Sequence, residues 1–144
     1  MKLVNPYLNF PGNTEEAFNF YKSVFGGDFL FLQRFKDTPQ AGGGEMPPDA
    51  ANGIMHVALK LGNNVLMGTD SIESMGHKVT VGNNVSIAIE ADSKEEADRI
   101  FNGLSDGASN IMPLADQFWG AYWGALCDKY GLCWMVSFTK QGPY

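Results

Sequence analysis

A helix pattern that recurs after 80 residues is the strongest constraint on the fold of this 144-residue chain. In the first copy Asn13 is expected to cap a helix and Glu16 follows three residues later, as in a capping box. In the second copy Ser93 and Glu96 repeat this arrangement. The apolar residues of both predicted helices fall at identical offsets from the cap: Ala17, Phe20, Tyr21 and Val24, then Ala97, Ile100, Phe101 and Leu104. This agreement indicates a duplicated architecture.

Strand-like stretches surround each predicted helix in the same order. One stretch precedes each helix, at residues 3–10 in the first copy and 85–91 in the second. Three stretches follow each helix, at 29–35, 54–61 and 65–69, then at 111–118, 121–127 and 132–138. The order β-α-β-β-β therefore occurs twice and predicts an α+β fold. We expect a single domain over residues 1–144, with one module at about 1–70 and the other at about 84–140.

Two loops interrupt this pattern. Residues 38–53 are rich in glycine and proline, which predicts a long irregular loop between two strands. Such a loop is either a lid over a binding site or an unstructured insertion. Residues 71–83 join the two copies and contain His77.

Charge and composition argue against several classes of function. The net charge of −6 disfavours a nucleic-acid partner, because binding phosphate backbones requires clustered Lys and Arg. The sequence contains no apolar stretch of membrane-spanning length and starts without a recognisable signal peptide, so we expect a soluble, cytoplasmic protein. In a reducing compartment Cys127 and Cys133 are expected to be free thiols in the core.

Four segments carry a resemblance to a known family: residues 5–10 (NPYLNF), 16–26 (EAFNFYKSVFG), 66–70 (LMGTD) and 128–134 (DKYGLCW). With them the chain resembles the PhnB-like branch of the vicinal oxygen chelate superfamily, which includes glyoxalase I, extradiol dioxygenases, fosfomycin-resistance enzymes and bleomycin-binding proteins. The resemblance implies paired β-α-β-β-β modules, each forming a curved sheet around a cavity, and usually a homodimer.

Members of this branch often carry the label 3-demethylubiquinone 3-methyltransferase-like. A methyl-donor site of the Rossmann type requires a glycine-rich loop after a strand, followed by an acidic residue. The sequence contains no such motif, so the label does not predict methyl transfer here.

The resemblance also implies where a divalent metal would be bound. Catalytic members hold the ion with His, Gln or Glu side chains from the first and last strands of each module. In this chain the corresponding positions are Tyr7, Ser86 and Met135, none of which is a good metal ligand, and Asp70 at the end of the fourth strand. We therefore expect no metal cofactor. A relocated site formed by His56, Asp70 and Glu90 is the alternative.

Alternation along the strands then predicts a cavity-facing set that mixes apolar and polar side chains. A small-molecule pocket has this composition, although a small cavity can also be filled by its own side chains. Near the end of the second module, Trp119 and Trp123 lie beside glycines and are candidates for a stacking wall or a dimer contact. The complete set of candidate ligand-binding residues is Tyr7, Asn9, His56, Asp70, Ser86, Trp119, Trp123 and Met135, and Ser137 lies on the same predicted face.

These residues are compatible with three functions. The first, which we favour, is a metal-free homodimer that binds a small molecule. The second is a metal-dependent lyase, isomerase or dioxygenase-like enzyme with relocated ligands. The third is a drug-sequestering resistance protein, whose acidic surface would attract a cationic drug. No motif suggests a Ser-His-Asp or Cys-His catalytic arrangement.

Overall fold

The computed structural model describes residues 1–38 and 46–142 and confirms the duplicated α+β architecture. The chain divides into two compact units, unit 1 at Met1–Thr80 and unit 2 at Val81–Tyr144. The boundary falls inside the loop predicted to join the two copies. No helix in the described part of the chain is long and apolar enough to cross a membrane.

Unit 1 has the predicted element order. Its elements are β1 (Tyr7–Phe10), α1 (Thr14–Phe25), β2 (Phe29–Arg34), β3 (Ile54–Leu61) and β4 (Asn64–Asp70). The four strands form one sheet in the order β1-β4-β3-β2, in which β1 is parallel to β4 and the other neighbours are antiparallel. The first strand is shorter than predicted, because residues 3–6 lie outside the ladder.

Unit 2 repeats this arrangement. Its elements are β5 (Ser86–Glu90), α2 (Lys94–Leu104), β6 (Ser109–Asp116), β7 (Ala121–Cys127) and β8 (Cys133–Thr139). The sheet order is β5-β8-β7-β6, with β5 parallel to β8 and the other neighbours antiparallel. The strand order of unit 1 is therefore reproduced position by position.

The helix faces agree with the sequence in unit 2 and differ by one residue in unit 1. In α2 the buried residues are the four predicted ones: Ala97, Ile100, Phe101 and Leu104. In α1 the structure buries Phe18 and leaves Phe20 partly exposed. Phe18 fits against β4 because Gly68 has no side chain, and a Cβ built there would lie 2.6 Å from the Phe18 ring.

The two helices are capped by different means. Ser93 caps α2 as predicted, because its hydroxyl accepts a hydrogen bond from the Glu96 backbone N–H at 3.0 Å. The predicted side-chain cap from Asn13 is wrong, since Asn13 makes no capping hydrogen bond. A carboxylate from the end of β4, Asp70, accepts a hydrogen bond from the Thr14 N–H at 3.0 Å instead. A negative charge at this end of α1 is also favoured by the helix dipole.

The glycine- and proline-rich loop, for which a lid and an unstructured insertion were the two predictions, is only partly described, because residues 39–45 lie outside the described residues. Its final part is packed against unit 1. Ala50 is fully buried, and the Gly53 carbonyl accepts a hydrogen bond from the Phe35 N–H. Asp49 accepts a hydrogen bond from the Ser74 hydroxyl at 2.9 Å.

The prediction of two free thiols is wrong. Cys127 and Cys133 form a disulfide across the β7–β8 hairpin. The expectation rested on the low number of cysteines and on a reducing compartment, which would keep them as thiols even if a hairpin brought them close. In the structure β7 and β8 place the two residues directly opposite each other, and they are bonded.

Candidate functional site

Each sheet has one face against its helix and one face away from it, which we call the far face. In unit 1 the helix side carries Leu66, Gly68 and Asp70, which alternate along β4 with the more exposed Met67 and Thr69. In unit 2 the helix side carries Leu126, Trp134 and Val136, all buried. Because successive strand residues point to opposite faces, the residues between them lie on the far faces.

A cluster of three aromatic rings lies on the far face of unit 1, and we call Tyr7, Phe31 and His56 the aromatic cluster. The Tyr7 hydroxyl and the His56 Nδ1 are 3.2 Å apart and form a hydrogen bond. The Tyr7 and His56 rings stack with centroids 5.6 Å apart, and Phe31 approaches His56 at 5.4 Å. The cluster therefore combines flat apolar surface with an imidazole and a phenol.

The strand register explains how these residues meet. Tyr7 on β1 pairs with Met67 on β4, and Met67 in turn pairs with Ala58 on β3. His56 lies two residues before Ala58, so the Tyr7 ring reaches diagonally over β4. Ala58 has a small side chain, and the Thr69 hydroxyl donates to the Met55 carbonyl at 2.7 Å.

Both apolar rings are about half exposed, since Tyr7 is 46% exposed and Phe31 is 45% exposed. Aromatic residues with hydrogen-bonding partners at this level of exposure offer contact area and direction to a ligand. Sequence reasoning found Tyr7 and His56 from alternation but missed Phe31, because a register shift on β2 between Phe29 and Phe31 breaks strict alternation there.

A polar depression of about 490 Å³ adjoins the end of β1. Its lining includes Asn9, Ser71, His77, Lys78 and Thr80. The Ser71 hydroxyl donates to the Asn9 Oδ1 at 3.2 Å, which fixes the amide at one edge of the depression. Asn9 is thus an exposed polar residue, and the loop residue His77 lines the same depression.

Asp70 is not a far-face residue, and its prediction as a cavity-facing ligand is wrong. Its side chain is 4% exposed and lies on the helix side of the sheet. One carboxylate oxygen accepts from the Thr14 N–H, and the other accepts from the Ile54 N–H at 2.7 Å. The sequence already indicated this position. Asp70 follows Gly68 by two residues and Leu66 by four, so on a strand all three side chains lie on the same face.

The far face of unit 2 carries a second group of candidates. Trp119, in the turn after β6, contacts Trp123 on β7 with ring centroids 5.9 Å apart and an interplanar angle of 69°. Ser86 and Met135 share this face with Trp123, because Ser86 pairs with Cys133, and Met135 with Ala125. The structure thus brings Trp119 and Trp123 together and leaves Ser86 and Met135 as separate positions on the same face.

A carboxylate on β5 belongs to the same face. The Glu90 Oε2 accepts a hydrogen bond from the Ser137 hydroxyl at 2.6 Å, and its Oε1 accepts from the Thr139 N–H at 2.6 Å. These bonds hold the carboxylate against β8 and account for both oxygens. Sequence reasoning placed Ser137 on this face but did not foresee its bond to Glu90.

The residues do not fit the divalent metal that the fold implies. Tyr7, Ser86 and Met135 offer a phenol, an alcohol and a thioether, whereas such ions prefer imidazole or carboxylate donors. The relocated site is also not formed as predicted, because His56 and Asp70 lie on opposite faces of one sheet. Within residues 1–38 and 46–142 no group of three or more His, Cys, Asp or Glu side chains is arranged to hold a metal ion.

Comparison with known proteins finds matches along nearly the whole chain. A family model described as 3-demethylubiquinone-9 3-methyltransferase matches residues 2–137. The crystal structure of protein PA1353 from Pseudomonas aeruginosa shares 36% identity and a TM-score of 0.83, covering 96% of this chain and 98% of that one. A PhnB protein from Bacillus cereus shares 26% identity and a TM-score of 0.75, covering 96% and 100%.

A more distant structure has the same fold. A glyoxalase/bleomycin resistance/dioxygenase family enzyme from Burkholderia phytofirmans superposes with a TM-score of 0.60 at 16% identity, covering 94% of this chain and 99% of that one. At this level of identity the likeness concerns the fold alone.

Proposed function

Because the chain belongs to the PhnB-like branch of the vicinal oxygen chelate superfamily, we propose that it binds a small organic molecule without a metal ion and acts as a homodimer. The observation that carries the proposal is the aromatic cluster of Tyr7, Phe31 and His56. By the family resemblance, Tyr7 of this cluster stands at a position where catalytic members of the superfamily hold their metal ion. In this chain that position carries a phenol.

The chemistry of the cluster defines the class of ligand. Two half-exposed rings and an imidazole favour a planar or partly aromatic molecule that stacks on the rings. The hydrogen bond between Tyr7 and His56 holds both polar atoms in fixed positions, where they can orient one polar group of the ligand. The adjoining polar depression at Asn9 suits a hydrophilic extension of the same molecule.

Ligand binding is tested by screening a set of aromatic fragments against ¹⁵N-labelled protein by NMR. We expect saturable shifts at the aromatic cluster for at least one fragment, and at least a tenfold weaker affinity for His56→Ala. Asn19→Ala is the control, since Asn19 is an exposed residue of α1 outside both the aromatic cluster and the polar depression. Equal binding by wild type and His56→Ala would refute the proposed site.

The metal-free state is tested separately by elemental analysis of protein purified without a chelator. We expect less than stoichiometric metal and no saturable heat on titration with Zn²⁺, Ni²⁺, Mn²⁺ or Fe²⁺, because of the donor types at Tyr7, Ser86 and Met135. One tightly held ion per chain would reject this part of the proposal and favour an enzyme with relocated ligands.

Exposed apolar residues on edge strands support the homodimer. In unit 1 the edge strand β2 exposes Leu30 at 58% and Leu32 at 39%, and in unit 2 the edge strand β6 exposes Ile111 and Met112. Exposed apolar edges favour pairing with another chain, and a second copy would cover them. We expect a dimer by sedimentation equilibrium that Leu30→Glu weakens and the exposed helix variant Asn102→Glu does not. A monomeric wild type at micromolar concentration would contradict this.

A cytoplasmic location is also part of the proposal. Fractionation of the native cells, with detection by antibody, tests it. Recovery of the protein outside the cytoplasmic fraction would reject it.

A further inference from the structure

The disulfide Cys127–Cys133 lies on the far face of unit 2, and the proposed function does not use it. The two residues are direct partners across the β7–β8 hairpin, with Cα atoms 3.9 Å apart. The neighbouring pair is hydrogen-bonded, since the Asp128 N–H donates to the Leu132 carbonyl at 2.8 Å. The cysteines therefore occupy the following non-hydrogen-bonded pair, in which side chains are closest and project to the same face.

The hairpin has other bonds that hold it together. The Gly131 N–H donates to the Asp128 carbonyl, which closes the turn. The Asp128 carboxylate accepts from the Tyr130 N–H at 2.8 Å, the Leu132 N–H at 3.1 Å and the Trp134 Nε1–H at 2.8 Å. A disulfide that spans six residues also restricts the unfolded chain less than one that closes a long loop. Breaking this disulfide should therefore leave the hairpin formed.

The two cysteines differ in exposure. Cys133 is buried, at 6% exposed, whereas Cys127 is only partly buried. Thiol–disulfide exchange begins when a thiolate attacks one sulfur of the disulfide, so access decides which sulfur reacts. Cys127 is the accessible one, and Cys133 is the leaving group.

We propose that Cys127–Cys133 is a reversible thiol–disulfide exchange site for low-molecular-weight thiols. An incoming thiolate attacks the Cys127 sulfur and forms a new S–S bond to it. The Cys127–Cys133 bond breaks, and its electron pair leaves on the Cys133 sulfur, which takes a proton from water. A second thiolate attacks the sulfur of the first thiol in this mixed disulfide and releases Cys127 as a thiolate, which is then protonated. In sum, two small thiols are oxidised to their disulfide, and the cysteine pair gains two electrons and two protons.

The exchange changes the chemistry of the far face. Ser86 is the strand partner of Cys133, and Met135 lies two residues further along β8 on the same face. Reduction would place two thiols beside this alcohol and thioether. The exchange site goes beyond the proposed function and does not depend on it, because no ligand takes part in the reaction.

The test uses the intact native protein in buffers of reduced and oxidised glutathione at a series of ratios. Free thiols are trapped with N-ethylmaleimide and counted by intact mass, while far-UV circular dichroism follows the fold. We expect both cysteines to convert together, reversibly, with unchanged circular dichroism. Reduction that occurs only in denaturant, or together with loss of the fold, would show a structural disulfide and overturn the proposal.

Single variants test which sulfur is attacked. In Cys133→Ser, oxidised glutathione should form a mixed disulfide at Cys127 at least tenfold faster than it forms one at Cys133 in Cys127→Ser. Equal rates, or faster reaction at Cys133, would contradict the assignment. The double variant Cys127→Ser/Cys133→Ser is the control and should keep the far-UV spectrum of the wild type and form no adduct. Failure of the double variant to fold would also overturn the proposal. If a single variant is insoluble, the titration of the wild-type protein decides the question.

Discussion

Replacing Asp70 with alanine should destabilise unit 1 far more than an ordinary surface substitution. The Asp70 carboxylate is 4% exposed and accepts two backbone hydrogen bonds, from the Thr14 N–H at 3.0 Å and from the Ile54 N–H at 2.7 Å. Thr14 and Ile54 are themselves buried, so water cannot replace the lost acceptor. The variant therefore leaves two buried donors without partners.

The magnitude follows from these contacts. Each buried donor left unpaired costs about 1–3 kcal/mol, and losing a negative charge at the N-terminus of α1 adds roughly 0.3–1 kcal/mol, so we expect a loss of about 2–7 kcal/mol for Asp70→Ala. With a urea m-value of about 2 kcal/mol/M, the unfolding midpoint should fall by roughly 1–3.5 M. Asp70→Asn keeps one acceptor oxygen and should lose less than Asp70→Ala.

Urea unfolding followed by far-UV circular dichroism measures this loss. Asp28→Ala is the control, because Asp28 is an exposed residue of the same unit and its loss should change the unfolding free energy by less than about 0.5 kcal/mol. All three tryptophans lie in unit 2, so tryptophan fluorescence reports whether that unit unfolds at the same urea concentration. A loss for Asp70→Ala within about 1 kcal/mol of the control would refute the assignment of Asp70 as the residue that caps α1.

Three further predictions concern the packing around the helices. The buried Thr14 hydroxyl has no hydrogen-bond partner among the described residues, so Thr14→Val should raise the unfolding free energy by up to about 1 kcal/mol in urea titration. Gly68→Ala would push a methyl group into the Phe18 ring and should cost about 1–3 kcal/mol in the same assay. The hydrogen bond to Asp98 raises the pKa of Tyr122 above its usual value of 10.0, so this bond stabilises the fold below pH 10 and is lost as the pH rises through the raised pKa. Absorbance at 295 nm should therefore show Tyr122 ionising at lower pH in Asp98→Asn than in wild type, and identical titrations would contradict the bond.

The helices and strands could be predicted because each is determined by residues that are close together in the sequence. The strands Ile54–Leu61 and Ala121–Cys127 have the bounds that their sequence indicates, and the Ser93 cap of α2 uses residues only three apart. The cap of α1 could not be found in this way. Its acceptor, Asp70, is 56 residues from Thr14 in sequence, and only the formed sheet brings them together.

The candidate site was predicted in part, and the misses have physical causes. Tyr7 and His56 were identified because alternation puts them on one face, yet their contact depends on the diagonal reach of Tyr7 over β4, which depends on register. Phe31 was missed because the β2 register shifts beside it. The disulfide was missed because the prediction assumed a reducing compartment, in which two cysteines brought together by a hairpin would still remain thiols.

The two faces of each β-sheet explain why the fold was predicted more completely than the candidate site. On each strand, one set of alternate residues packs against the helix and determines whether the chain folds, as Leu66 and Trp134 do here. The other set lies on the far face, where Tyr7 and Met135 stand at positions that the family resemblance assigns to metal ligands. Substitutions in the second set therefore leave the helix-side packing of the duplicated frame in place. For this reason the helix-side pattern of this chain predicted its architecture, whereas its ligand has to be inferred from the chemistry of the far faces.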